Sequence, residues 1–251
     1  MFQYDPLRCL PSSAELPDSD ETPVDNELQD LVPALLRSIL VLLWAERNDW
    51  FFAIDMGIYF DPLQPPVVPD GFLSVGVERR VEPTGRLSYV LWEENGTVPI
   101  FVLEVVSQTY RSEYDRKMEL YRQLGVLYYA IYNPKPGRRK PKPQPLEVYK
   151  LTDTGYVLQP GEPVWLPELQ LGLGRAEGEF EGWQREWLYW YDAQGQRLLP
   201  AWERYRQAEE RIAQEQQRAD QERQRAEQER QRAERLADYL RSRGIDPDAL
   251  G

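Results

Sequence analysis

Apolar residues change their spacing several times along the chain, and each change marks a predicted element. Between Asn26 and Arg47, Leu28, Leu31, Leu35, Ile39 and Leu42/Leu43 recur at steps of three and four, the spacing of one buried helix face. Trp50 to Phe60 alternates as a strand does, with Gly57 as a kink or bulge. The Pro-rich stretch Pro62 to Pro69 crosses to a second strand, Phe72 to Val77, and Trp92 to Thr97 reads as a polar turn. Pro99 to Ser107 is the most strand-like segment and is apolar on both faces, which predicts a central strand covered on each side.

The period turns helical from Ser112 to Leu124, with Tyr114, Lys117/Met118, Tyr121 and Leu124 on one stripe and Gly125 at the stop. Val126 to Tyr132 is another buried-looking strand, and Leu146–Leu151 with Tyr156–Leu158 forms a hairpin around Asp153-Thr154-Gly155. Residues 160–200, rich in Trp, Gly and Pro, carry no legible period. From Trp202 to Arg243 there is neither Pro nor Gly, and Gln214–Asp220, Gln221–Glu227 and Gln228–Glu234 repeat nearly the same seven residues. A helix of that length would extend roughly 63 Å at 1.5 Å per residue. Ala219, Ala226 and Ala233 fill one heptad position while its partner is charged, so a single exposed helix held by Glu–Arg pairs and a coiled coil both stay open. These boundaries predict an irregular leader (1–25), a folded domain (26–200), a long charged helix (201–243) and a short tail (244–251).

Composition narrows the chemistry. Among 251 residues there is no histidine and one cysteine, Cys9, which removes imidazole bases, His-containing triads, intrachain disulfides and thiolate zinc clusters. No apolar run reaches the length of a membrane span, and the N-terminus lacks a basic region followed by an apolar one. A cytoplasmic protein with no membrane association is expected. The net charge of −12 divides into −9 over residues 1–80, −2 over 81–200 and −1 over 201–251. That balance opposes non-specific attraction to phosphate, although a bound divalent cation inverts the local field around carboxylates. Lys135 to Lys142 is the exception, with five positive charges in eight residues. It reads as a solvated connection between strands or as a phosphate-contacting arm.

Three residues stand out as candidate chemistry. Glu104 is the one charge in its apolar strand, and a buried carboxylate needs a partner or a metal. Asp70 follows Pro69 at the entry to the Phe72–Val77 strand, where it reads either as a turn residue or as a second carboxylate facing the first. Lys117 lies on the inward stripe of its helix, placed to pair with Glu104 or Glu113 or to complete an Asp, Glu, Lys set. Two carboxylates provide hard oxygen ligands for Mg²⁺.

Pro69-Asp70, the strand ending Glu104-Val-Val-Ser107, the helix Asp115-Arg-Lys-Met-Glu-Leu-Tyr-Arg-Gln-Leu-Gly125 and Tyr128-Tyr-Ala-Ile-Tyr-Asn-Pro134 together resemble the Uma-two family of restriction-endonuclease-like proteins. That family belongs to the PD-(D/E)XK nuclease superfamily. The resemblance covers about residues 25–175. It implies an α/β fold with a helix, a mixed central sheet of about four strands and a helix crossing over it, to which the long C-terminal helix is added. It also implies a Mg²⁺-dependent endonuclease (Mn²⁺ as a substitute) acting on DNA, with Asp70, Glu104 and Lys117 catalytic and Asp70, Glu104 and Val105 holding the metal. The superfamily's usual lysine, two residues after the glutamate, is replaced here by Val106, and Lys117 resembles a replacement that has migrated to the following helix. The alternative expectation is an inactive nuclease-fold module that scaffolds or oligomerises through residues 202–243. A homodimer or higher oligomer suits either reading. Binding of nucleic acid without cleavage is disfavoured by the acidic charge and supported by Lys135–Lys142 alone.

Overall fold

Asn26 starts the first helix, α1 (Glu27–Leu43), by accepting the Leu28 amide on its side chain while Gln29 reaches back to the Asn26 amide. This reciprocal cap satisfies donors that a bare helix end leaves open. The computed structural model describes residues 10–16, 26–81, 83–106, 113–134 and 144–244. Cys9, most of the expected leader, Ser107, Ser112, the Lys135–Lys142 segment and the tail beyond Gly244 lie outside the described residues. The chain divides into two units, Met1–Pro200 and Ala201–Gly251.

The first unit is built on a six-stranded mixed sheet. Its strands, in spatial order, are β1 (Trp50–Ile54), β3 (Gly71–Val75), β5 (Phe101–Val105), β6 (Tyr128–Tyr132), β7 (Leu146–Thr152) and β8 (Gly155–Leu158). Only β5 and β6 run parallel; every other neighbouring pair is antiparallel. The parallel pair needs a crossover, supplied by a π-helical turn (Glu113–Lys117) that passes into α2 (Met118–Leu124) and ends at Gly125, φ 84°. The sheet has six strands where the resemblance implies about four, with β1 at one edge and the β7–β8 hairpin at the other.

Alternation along β5 sends Val102 and Glu104 to one face and Phe101, Leu103 and Val105 to the other. On the first face Phe72, Val102, Tyr129 and Ile131 pack with Tyr121 of α2. On the second face α1 covers the sheet together with β11 (Trp183–Tyr191). That strand belongs to a separate three-stranded sheet, in which it pairs with β10 (Leu171–Phe180), and β10 in turn with β9 (Val164–Leu166). Trp190 joins these layers: its ring lies edge-on to Phe101 at 5.4 Å and its indole N–H donates to the Leu36 carbonyl at 3.1 Å. Val32, Leu35, Leu36, Ile39 and Leu40 of α1 are all fully buried, each such side chain contributing about 1.5–3 kcal/mol.

Two expectations change. The strand anticipated from Trp50 to Phe60 is broken: β1 ends at Ile54, and β2 (Ile58–Tyr59) pairs in parallel with β4 (Tyr89–Val90) in a small sheet of its own. The turn is made at Asp55, φ 47°, and not at Gly57; Asp residues tolerate the left-handed region better than most. Residues 160–200, illegible in the sequence, form the three-stranded sheet. The second unit carries α3 (Ala201–Ser242), which follows Pro200 and ends before Gly244, φ 76°. Arg230 sits between Glu227 and Glu234 at 3.4 and 3.7 Å, the spaced pairing anticipated from the repeat. No helix among the described residues is long and apolar enough to cross a membrane.

Candidate active site

The register of β3 against β5 places the first carboxylate. Gly71 is paired with Leu103 and Phe72 with Val102, so the next position outward sets Asp70 beside Glu104, on the face that looks toward α2. Gly71 permits this strand to lie under α1: a Cβ there would fall 2.8 Å from the Pro33 Cβ and 3.4 Å from the Phe52 ring. A residue without a side chain at this position is therefore required by the layer above it.

Glu104 is 2% exposed. Lys117 Nζ donates to Glu104 Oε2 at 2.7 Å and to the Val68 carbonyl at 3.2 Å, and the Tyr121 hydroxyl donates to Glu104 Oε1 at 2.7 Å. Lys117 and Tyr121 stand four residues apart, Lys117 closing the π turn and Tyr121 one turn into α2, so one helical edge delivers both donors to one carboxylate. Glu104, one of the two acids open to Lys117 by spacing, is thus in contact with it. The neighbouring Asp115 and Arg116 are exposed.

Asp70 Oδ2 accepts the Val105 amide at 2.5 Å. The Val105 side chain points to the opposite face, so this residue can serve the site only through its backbone. Burial pushes the Asp70 carboxyl up to about 8, and the negative charge of Glu104 adds to that; the Val105 amide and Lys117 act the other way. Burial also holds the Tyr121 hydroxyl well above its usual range, with Glu104 again adding. Tyr121 therefore stays protonated and acts as a donor.

Asp70, Glu104 and Lys117 thus converge. The sequence pattern marks Tyr121 only as a core position, and it does not mark Asp55, whose amide donates to the Asp70 carbonyl at 3.3 Å and whose charge adds to the field that raises Asp70. Tyr121 is detectable as the residue one turn beyond Lys117 on the inward stripe. Asp55 carries no such signal, because its place depends on the β1–β3 register, which sets Ile54 opposite Gly71. Among the described residues no group of three or more His, Cys, Asp or Glu gathers as a metal cluster.

No curated protein matches the chain. Among solved structures, a putative nuclease of the DUF820 group from Anabaena variabilis is similar at 13% identity and a TM-score of 0.40, over 58% of this chain and 74% of that one. The family model described as putative restriction endonuclease, Uma2, matches residues 20–177, which takes in α1, the six-stranded sheet, both carboxylates and Lys117. With more than half of its length matched in this way, the chain belongs to the Uma2 family of putative restriction endonucleases.

Proposed function

We propose that this protein is a Mg²⁺-dependent endonuclease that hydrolyses phosphodiester bonds in DNA, with Asp70, Glu104 and Lys117 as its catalytic residues. The observation that carries this reading is the neighbouring pair of carboxylates, Asp70 just before β3 and Glu104 on β5, the latter in contact with an ammonium 2.7 Å away. The donor chemistry suits the cation. Two carboxylates and the Val105 backbone carbonyl are hard oxygen donors, and Mg²⁺ commonly takes only one or two carboxylates and keeps several waters. The raised Asp70 carboxyl marks an excess of negative charge in a poorly solvated place, which a divalent cation relieves.

When bound, Mg²⁺ supplies Lewis acidity and makes water a better nucleophile at neutral pH. The protein's own groups do the rest. The Val105 amide aims Asp70, so the first ligand is held before metal or substrate arrives. Lys117, in contact with Glu104 at 2.7 Å, sets a positive charge beside the pair, where negative charge on the phosphate grows during attack. The net charge of −12 predicts slow capture of DNA at low salt, without the electrostatic steering that a basic nuclease enjoys.

Plasmid nicking in Mg²⁺ or Mn²⁺ tests the assignment. Glu104→Gln, nearly isosteric, is expected to lower the nicking rate by about 100-fold or more. Equal rates in wild type and variant would reject it. A second reading rests on the contacts Glu104 already makes, its two oxygens accepting from Lys117 and Tyr121, so that the Lys117 ammonium balances the acid without a cation. The domain would then be a silent module, and α3 would carry function by joining copies or partners. In that case wild type leaves plasmid intact, and removing residues 202–251 abolishes self-association in light scattering.

A further inference from the structure

Catalysis as proposed leaves Tyr121 a part of the core, yet this tyrosine is fully buried and its hydroxyl is spent on one carboxylate oxygen. A carboxylate on a glutamate side chain can rotate about its last bond, and each rotation presents different lone pairs to a neighbouring acid. Lys117 alone, from 2.7 Å on Oε2, leaves that rotation open, because a flexible ammonium can follow the oxygen. A phenol cannot follow: its ring lies in the core, 5.1 Å from the Tyr129 ring, and has two side-chain torsions. The hydroxyl on Oε1 at 2.7 Å therefore pins the plane of the group. An ionised carboxylate has about four lone-pair sites, so neither bond has to break for the same group to hold a cation.

We infer that Tyr121 is a positioning residue of the metal site: with Lys117 it clamps Glu104 at both oxygens and sets the cation affinity of the Asp70–Glu104 pair. This rests on the proposed metal-dependent reading. Groups that orient a metal ligand by hydrogen bonding are worth about 10- to 100-fold in metal affinity or activity. The crossover is built for such a clamp. The π turn closes at Lys117 and the α-helix takes over at Met118, and π turns inside helices are frequent at functional sites.

The test is Tyr121→Phe, which keeps the ring and its packing on Tyr129 and deletes only the hydroxyl. Mn²⁺ binding to the full chain is followed by titration calorimetry, beside thermal melts in EDTA and nicking rates across a metal titration. Tyr156→Phe is the control, because its hydroxyl also makes one bond to the protein, half-buried, to the Val126 carbonyl at 2.7 Å, and its ring packs on Tyr129 at 5.9 Å. The expected result is Mn²⁺ binding weakened about tenfold in Tyr121→Phe and unchanged in Tyr156→Phe, with nicking by Tyr121→Phe recovered at high metal. If both variants lose the same melting temperature and bind Mn²⁺ as wild type does, Tyr121 is structural and the inference falls. If wild type itself binds no Mn²⁺, the metal-dependent reading fails first and takes this inference with it.

Discussion

Replacing Asp70 by Asn should stabilise the protein, by an amount that grows with pH. The Asp70 carboxyl is raised from 3.8 to about 8 by burial and by Glu104. Between those two values the folded chain binds a proton that the unfolded chain has released, so stability falls as pH rises through the window. The contribution of this group is complete below about pH 3.8 and fully lost above about pH 8. Each pH unit is worth about 1.4 kcal/mol, so a shift of some four units amounts to roughly 6 kcal/mol if the side chain were wholly enclosed. Asp70 is only partly buried, and solvent screening reduces the figure to about 2–3 kcal/mol. Asparagine carries no charge at any pH, and its amide oxygen can still accept the Val105 N–H. Urea melts of wild type and Asp70→Asn in EDTA, followed by tryptophan fluorescence in steps from about pH 5 to 8, measure the difference. It should rise steadily across the series and shrink when Mg²⁺ is added. A variant less stable than wild type at pH 8, or a gain that does not change with pH, would refute the electrostatic argument.

Two further substitutions probe the layers that hold the site. Gly71→Ala drives a methyl against Pro33 at 2.8 Å and should lower stability by about 1–3 kcal/mol through overpacking, read as a lower urea midpoint at unchanged slope; an unchanged midpoint would mean that α1 shifts freely over β3. Trp190→Phe removes the 3.1 Å bond to the Leu36 carbonyl and shrinks a fully buried ring, which should cost about 2–3 kcal/mol in the same melts, and a loss below about 1 kcal/mol would show that Trp190 does not join the layers.

Elements with a strong period are legible in the amino-acid order alone. The spacing from Leu28 to Leu43 predicts the helix α1 but only part of its buried face: Leu35 and Ile39 are enclosed as expected, whereas Val32, Leu36 and Leu40 fill the rest and Leu43 is exposed. The apolar run around Glu104 predicts a central strand with both faces covered, which β5 is. The Gln/Glu/Arg/Ala repeat predicts α3 almost to its ends. Residues 160–200 are not legible, because the glycines that blur the strand pattern are demanded by distant side chains. A Cβ on Gly178 would collide with the Tyr189 hydroxyl, and one on Gly174 would fall 3.0 Å from Pro163 and Tyr191. Those contacts come from the β10–β11 pairing and the approach of Pro163, which no local period encodes. The broken strand at Asp55 has the same origin: the chain leaves the main sheet after β1 so that β2 can pair with β4.

By itself the sequence determined which chemistry was possible: carboxylates and lysine without histidine or thiolate pairs, on helices and strands whose buried faces are written as periods of 3.6 and 2. It marked Glu104 and Lys117 by their wrong polarity for the places they occupy. Only the tertiary structure decided that Asp70 stands beside Glu104, that Lys117 reaches Glu104, that Tyr121 closes the clamp and that Asp55 adds its charge. Local periodicity reports which way a side chain faces, whereas these meetings depend on strand register and on how a helix docks, and both are set by the sum of contacts across the whole core.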